Sequence, residues 1–283
     1  IIEYIGTHAG DVMPTAWQCL CLLVAIYLIV MALWTGKIAL RYGNMTLRMT
    51  DNLLTIESGL VSRFTCRLAR EKTTVLTIKR NPLEKIAGCQ TISLQQAENA
   101  TDNKNEGGIR IYGSNLGDEL LTWWLGNRGS VNDTTLLSAA SGIGLLMRTF
   151  IPHLLLAAGG AALIMISTKL ALPGVMAGAV YAAIAAVRAA MAWKHSSIEL
   201  KESYMKINRG NIACIREYIR YRDIQSVAIA STPFTPYTGR VSLNVSTNAG
   251  CATVPSLAMD EALAIRNYIL DGKVSSSASE SVV

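Results

Sequence analysis

The sequence predicts an α+β membrane protein in which transmembrane helices alternate with two small β-barrel or sandwich domains, each closed by a C-terminal helix. Three observations carry that prediction. The chain of 283 residues is 51% apolar and only 16% charged, with a mean hydropathy of +0.31, too apolar for a water-soluble globule of this length. It contains long runs without a single charge. The polar segments between those runs repeat one another at a fixed spacing.

The first span falls within residues 1–40, at about 14–36. No charge occurs between Asp11 and Lys37, and Trp17 and Trp34 bracket an almost wholly apolar stretch, placing aromatic rings where headgroups begin. Eighteen helical residues reach about 27 Å, close to the thickness of a bilayer core. A helical hairpin is expected over 149–194. Its two arms are the uncharged runs from Arg148 to Lys169 and from Lys169 to Arg188, with Leu172-Pro173-Gly174 as the turn signal. Within it, Gly174, Gly178 and Ala182 fall on one helical face, and Ala157 and Ala161, or Ala158 and Ala162, share a face of the preceding arm. Small faces let backbones approach, so this stripe serves either to pack the two arms together or as a homodimer seam. Arg188 and His153 lie near the ends of the arms, where a long side chain can reach the interface.

Flanking charge sets the orientation. Glu3 and Asp11 precede the first span, whereas Lys37, Arg41 and Arg48 follow it; Arg148 precedes the hairpin, and Arg188, Lys194 and Lys201 follow. Basic flanks stay inside, so both polar segments are expected in the cytosol and the N-terminus outside. The chain opens on Ile1 with no basic n-region, which leads us to expect an upstream helix in a longer protein.

The repeat is the most informative feature. Gly59, Pro82 and Gly88 recur as Gly210, Pro233 and Gly239, each 151 residues on, and Ile56 and Ile78 recur as Ile207 and Ile229. Glycine and proline constrain backbone geometry, so a duplicated fold retains them. The first copy spans 41–127 and the second 195–271. Each reads as β. Leu47 and Met49 alternate up to an Asp51-Asn52 turn, then Leu54 and Ile56 lead to Gly59. Ile198 and Leu200 do the same up to Glu202-Ser203, then Met205 and Ile207 lead to Gly210. Further strands are expected at 64–68, 75–78 and 90–94, and at 215–219, 227–229 and 241–245. Each copy closes with a helical pattern whose first turn is acidic, Asp118-Glu119 and Asp260-Glu261. Residues 98–108 read as a loop insertion of the first copy. The linker 128–148 reads as an amphipathic segment lying on the membrane, and 272–283 as a disordered tail.

The net charge of +6 is too small for a nucleic-acid binder but favours an anionic membrane surface. The six cysteines form no CxxC pair and the three histidines are far apart, so neither a metal site nor a disulfide framework is expected. No cofactor is implied. Signatures of metalloproteases, serine hydrolases, P-loop enzymes and dinucleotide binders are absent, and a non-enzymatic role is expected. The candidate lipid- or partner-binding residues are Arg63, Arg67, Arg70, Lys72, Lys79, Arg80 and Lys85 in the first copy and Arg216, Arg220 and Arg222 in the second. Each would contribute about 1 kcal/mol near an anionic leaflet; a solvated domain face explains them equally well.

The order of elements, with the run Leu47-x-Met49-Thr50-Asp51-Asn52-x-Leu54-x-Ile56-x-x-Gly59 and then Asn81-Pro82-Leu83-Glu84-Lys85 and Gly88, resembles the bacterial pleckstrin-homology (PH) domain membrane proteins of the YdbT-like type. That resemblance covers nearly the whole chain. It implies a multi-pass protein of the bacterial plasma membrane with two cytoplasmic PH-like domains, acting as a membrane scaffold, with envelope protection as a candidate task. Expected partners are the membrane itself, anionic headgroups, and a membrane protein or a second copy of the chain. The turns Asp51-Asn52 and Glu202-Ser203 lack the basic residues with which eukaryotic PH domains hold phosphoinositides. The competing class is a subunit of a transporter or export system.

Overall fold

The computed structural model describes residues 16–59, 63–96, 108–126, 133–168, 171–233 and 235–280. The chain divides into two compact units, Ile1–Arg48 with Leu54–Arg67, and Met49–Leu53 with Leu68–Val283.

The first unit holds helix α1 (Ala16–Tyr42) and most of a three-stranded sheet in the order β1 (Thr46–Met49), β2 (Leu53–Ser58), β3 (Phe64–Ala69). Strand β2 alternates as the sequence predicts, with Leu54 and Ile56 fully buried between more exposed neighbours. Helix α1 starts two residues after the expected 14 and runs six past the expected 36.

The second unit continues with β4 (Thr73–Arg80), α2 (Pro82–Ile86), β5 (Gln90–Gln96), β6 (Gly108–Ser114), α3 (Gly117–Leu125), β7 (Thr135–Ala140), α4 (Gly144–Thr168) and α5 (Ala171–His195). Then follow β8 (Ser197–Lys201), β9 (Tyr204–Arg209), β10 (Cys214–Arg220), a 3-10 turn (Tyr221–Asp223), β11 (Ile224–Ala230), α6 (Thr235–Thr238), β12 (Arg240–Thr247), β13 (Gly250–Ala258) and α7 (Met259–Glu280). These strands form a seven-stranded sheet, β6-β5-β4-β10-β9-β8-β7, and a three-stranded sheet, β11-β12-β13.

The repeat is visible in the backbone. Strands β1, β2, β3, β4 and β5 match β8, β9, β10, β11 and β12 at the 151-residue offset to within a residue or so at most ends. Gly59 and Gly210 adopt φ of 112° and 126°, and Gly88 and Gly239 adopt 68° and 61°, values that disfavour any side chain. Pro82 opens α2, and Pro233 lies two residues before α6. The closing helices α3 and α7 carry their acidic pairs in the first turn.

Four expectations are corrected. Among the described residues no sheet closes into a barrel, because β4 of the first copy gives its edge to β10 of the second. Residues 135–140 form a strand rather than an amphipathic surface helix, because β7 finds a partner in β8, 55 or more residues away across the hairpin. Helix α5 already begins at Ala171, so Pro173 of the expected turn sits in its first turn, where its missing N–H costs nothing. The tail 272–280 continues α7, even though it contains Gly272 and four serines, weaker helix formers than alanine. The expected loop insertion at 98–108 lies outside the described residues except for Gly108, which opens β6.

Helices α4 and α5 contain stretches, Gly144–Ile166 and Gly174–His195, that are long and apolar enough to cross a membrane, and only 6% and 17% of their most hydrophobic windows are buried; the apolar part of α1, Cys21–Lys37, is shorter. The two arms pack along the small-residue stripe. A Cβ on Gly174 would lie 2.7 Å from the Ala161 carbonyl, and one on Gly178 would lie 2.9 Å from the Ala161 methyl. Ala182 is half-buried. One turn on from Gly178, His153 Nδ1 and the Tyr181 hydroxyl share a hydrogen bond of 3.0 Å between the arms.

Candidate functional site

The pairing of β4 with β10 joins the two copies in one antiparallel ladder, Cys214 opposite Arg80 through Ile219 opposite Val75. Period-two alternation then assigns the two faces of the seven-stranded sheet. On one face, Val75, Ile219, Met205, Ile207, Ile198 and Leu200 enter the core shared with β12, β13 and α7. On the other, Leu76, Ile78, Ile92, Leu94 and Ile111 are buried where α3 packs over β4, with Leu120, Leu121 and Trp124 turned inward. The copies therefore use opposite faces of a common sheet.

Arg220 closes this seam. Being even-numbered on β10, it shares a face with Arg216 and Tyr218, but unlike Arg216 it is only 8% exposed. Its Nε donates to Asp223 Oδ2 at 2.7 Å. Its two terminal nitrogens donate to the carbonyls of Arg70, Glu71, Thr73 and Trp124, and its guanidinium lies 4.7 Å from the centre of the Trp124 ring. The Trp124 indole N–H in turn donates to the Thr73 carbonyl at 2.8 Å. A planar five-donor fork suits such a cluster of carbonyls. Burial pulls the Arg220 guanidinium below its ordinary value, opposed by the Asp223 carboxylate; burial likewise raises Asp223, opposed by Arg220.

On the opposite face, a cleft of about 150 Å³ opens where the copies meet, lined by Val75 and Gln95 of the first and by Arg209, Glu217, Thr247 and Cys251 of the second, among others. Glu217 is 7% exposed and bonds to Arg209. Burial raises its carboxyl, and Arg209 counteracts that shift.

The root of the hairpin is equally well defined. Ser141, after β7, donates its backbone N–H to the Ser196 carbonyl at 2.9 Å. The two buried hydroxyls are 2.7 Å apart, and the Ser141 hydroxyl also donates to the Pro255 carbonyl at 2.6 Å. From that root one row of paired residues crosses the sheet: Ala140, Ser197, Asn208, Arg216, Ile78, Ile92 and Ile111.

That row sorts the cations expected from sequence. Arg216 lies on it, and Lys79 and Arg80 lie just beyond Ile78 toward the same end of the sheet; all three are exposed, as is Lys85 on the following α2. At two strand spacings, Arg216 stands roughly 10 Å from Ser197. Lys72 and Arg222 are exposed at the other end, Arg222 being 3.8 Å from Asp223. Arg70 is half-buried there and offers its carbonyl to Arg220. Arg63 and Arg67 are exposed in the first unit. Arg220 is thus corrected from a surface contact to a buried bridge. Sequence alone could not separate it from Arg216, since both obey the same alternation.

Tyr204 also escapes a reading of the sequence. It packs 5.9 Å from the Tyr218 ring, and burial pushes its hydroxyl up to about 12. Trp123 donates its indole N–H to the Thr50 carbonyl at 2.7 Å. Among the described residues, no group of three or more His, Cys, Asp or Glu side chains could hold a metal ion.

A family model described as "Bacterial PH domain" matches residues 7–127 and again residues 150–273. No curated protein matches the chain.

Proposed function

We infer function from one premise: the chain belongs to the bacterial PH domain family, with two tandem copies. Its role on this reading is that of a non-catalytic membrane scaffold. The α4–α5 hairpin, preceded in the chain by α1 as a further span, crosses the bacterial plasma membrane, and the fused PH-like modules stand on its cytoplasmic side, where they meet anionic headgroups and a protein partner.

The observation that carries this is the row running from the hairpin root to Arg216. A helix buried in a soluble core hides its apolar side chains, whereas Leu155, Leu163 and Ile166 are 69%, 67% and 75% exposed, which favours lipid as their solvent. Helical stretches of 23 and 22 residues extend roughly 33–35 Å, enough for a hydrocarbon core of about 30 Å. With the hairpin upright in a bilayer, the end of the sheet that carries Lys79, Arg80 and Arg216 is the end next to the headgroups. A non-catalytic role fits a seam whose buried ionisable groups, Arg220 and Glu217, each pair with an opposite charge, Asp223 and Arg209.

The test uses the full chain. It is expected to stay with membranes through alkaline carbonate extraction, and Cys214 is expected to escape an impermeant maleimide in intact cells but not in lysed ones. In nanodiscs, K79E/R80E/R216E should abolish a preference for phosphatidylglycerol over phosphatidylcholine worth about 3 kcal/mol at about 1 kcal/mol per cation. Release by carbonate, or labelling of Cys214 from outside, overturns the topology; an unchanged lipid preference overturns the headgroup contact.

A further inference from the structure

We propose that β11 and β3 are the two halves of a head-to-tail contact between copies of this chain. The outer edge of β11 on one molecule pairs antiparallel with the outer edge of β3 on the next, in the register that β4 and β10 already use. The occupant of each edge is a second copy of this chain.

The argument starts from the repeat. Strand β11 is the second copy's equivalent of β4, and β3 is the first copy's equivalent of β10. Inside the chain, β4 and β10 meet. Their equivalents are both terminal in their sheets, β11 at one end of β11-β12-β13 and β3 at one end of β1-β2-β3, among the described residues. A contact that joins one face of a unit to a different face of the next, made once within the chain, leaves one unmatched face on each unit, and repeating it between chains gives a ring or an open array.

Burial records the same asymmetry. In β4 the first four residues, Thr73 to Leu76, and Ile78 are all buried, whereas in β11 Gln225, Ser226, Ala228 and Ala230 are exposed and of the seven residues only Ile224 is fully buried. In β10 the last four residues are buried, whereas β3 exposes Phe64, Thr65 and Arg67. Phe64 is 50% exposed, a large apolar ring half uncovered within the chain.

The edge chemistry permits pairing. Natural edge strands are commonly protected by charge, proline or a bulge. β13 carries Pro255 and a left-handed Ser256 at φ 59°, and β6 carries Arg110 and a left-handed Gly113. Strand β11, Ile-Gln-Ser-Val-Ala-Ile-Ala, has neither charge nor proline, and its register irregularity lies at Ile224–Ser226, before the residues from Val227 to Ala230, so it sets no repulsion against Arg63 and Arg67. Moving the β4–β10 register by 151 residues sets Phe64 opposite Ala230, Thr65 opposite Ile229, Cys66 opposite Ala228 and Arg67 opposite Val227. Strands β1 and β8, which follow α1 and α5, begin at Thr46 and Ser197, also 151 apart. Repeating the contact therefore keeps each helix entering its sheet at the same point. The proposal does not rest on the headgroup contact.

Cys66 makes the register testable. In the full chain with Cys19, Cys21, Cys89, Cys214 and Cys251 changed to Ser and Ala228→Cys added, opposite Cα atoms lie about 4.5–5.5 Å apart, within disulfide reach. Diamide oxidation should give a ladder of dimers and higher multiples on non-reducing gels, absent when Cys66 is also changed to Ser. Adding Ala230→Lys should cut the crosslinked fraction at least tenfold while leaving the melting temperature unchanged, since that position is exposed. The pair T77C/E217C, equivalent by the repeat, reports the internal seam and should close within one chain. Closure of that internal pair with no ladder in the Ala228→Cys chain overturns the proposal, as does a bond from Cys66 to the thiol introduced by Ala228→Cys that forms only within single chains.

Discussion

Arg220→Ala is the most discriminating change at the seam. The substitution removes a buried guanidinium that bonds Asp223 at 2.7 Å, four backbone carbonyls and the face of Trp124. It leaves behind a carboxylate that is only 12% exposed. Breaking a buried pair from one side costs about 3–5 kcal/mol, and the lost cation–π contact accounts for about 0.5–2 kcal/mol of such a change. We expect a loss of about 4 kcal/mol against a typical domain stability of about 5–15 kcal/mol. The assay is urea unfolding of the detergent-solubilised chain followed by tryptophan fluorescence. Because Arg220 reaches from the second copy to carbonyls of the first, the slope of the transition should also fall as the copies unfold separately. Arg220→Met with Asp223→Asn, which removes both charges, should recover part of the loss, since uncharged buried groups carry a smaller desolvation penalty. A cost below about 1 kcal/mol for Arg220→Ala would refute the bridge.

Two further outcomes follow from the geometry. Burial raises the Glu217 carboxyl above its ordinary 4.5, so the folded state holds that proton more tightly than the unfolded chain; stability should fall as pH rises from 4.5 through the folded value, and Glu217→Gln should flatten that slope in a pH series of unfolding curves. Gly210→Ala places a methyl against the Ala213 carbonyl at φ 126°, whereas Gly239→Ala at φ 61° meets open space; thermal melts should show a cost of about 3 kcal/mol for the first and about 1 kcal/mol for the second.

Much of each module is legible in the sequence because its signals are local. The alternation of Leu54 and Ile56, and of Met205 and Ile207, marks buried strand faces without reference to anything distant. Gly59 and Gly210 are retained because each must adopt a positive φ that a side chain would strain. The acidic pairs Asp118-Glu119 and Asp260-Glu261 mark helix starts through the helix dipole. Strand β7 is not legible, because Thr135-Leu-Leu-Ser-Ala-Ala does not alternate and contains good helix formers. It becomes a strand only because Ser138 and Ala139 find Glu199 and Ile198 beyond the hairpin. Sequence puts Arg220 on the surface with Arg216, and nothing within β10 distinguishes them; the difference comes from the 70–73 turn and the end of α3, about 100 to 150 residues away.

The apolar runs, the duplicated strand-rich modules and their closing helices are set by the order of residues alone, since hydrophobic period, turn residues and capping charge act over a few positions. Only in three dimensions does it emerge that β4 joins β10, that Arg220 is a bridge, and that Lys79, Arg80 and Arg216 share the hairpin's end of the sheet. A strand's edge offers the same row of N–H and C=O groups whatever its side chains. Which distant strand satisfies that row depends on the shape of the whole folded chain.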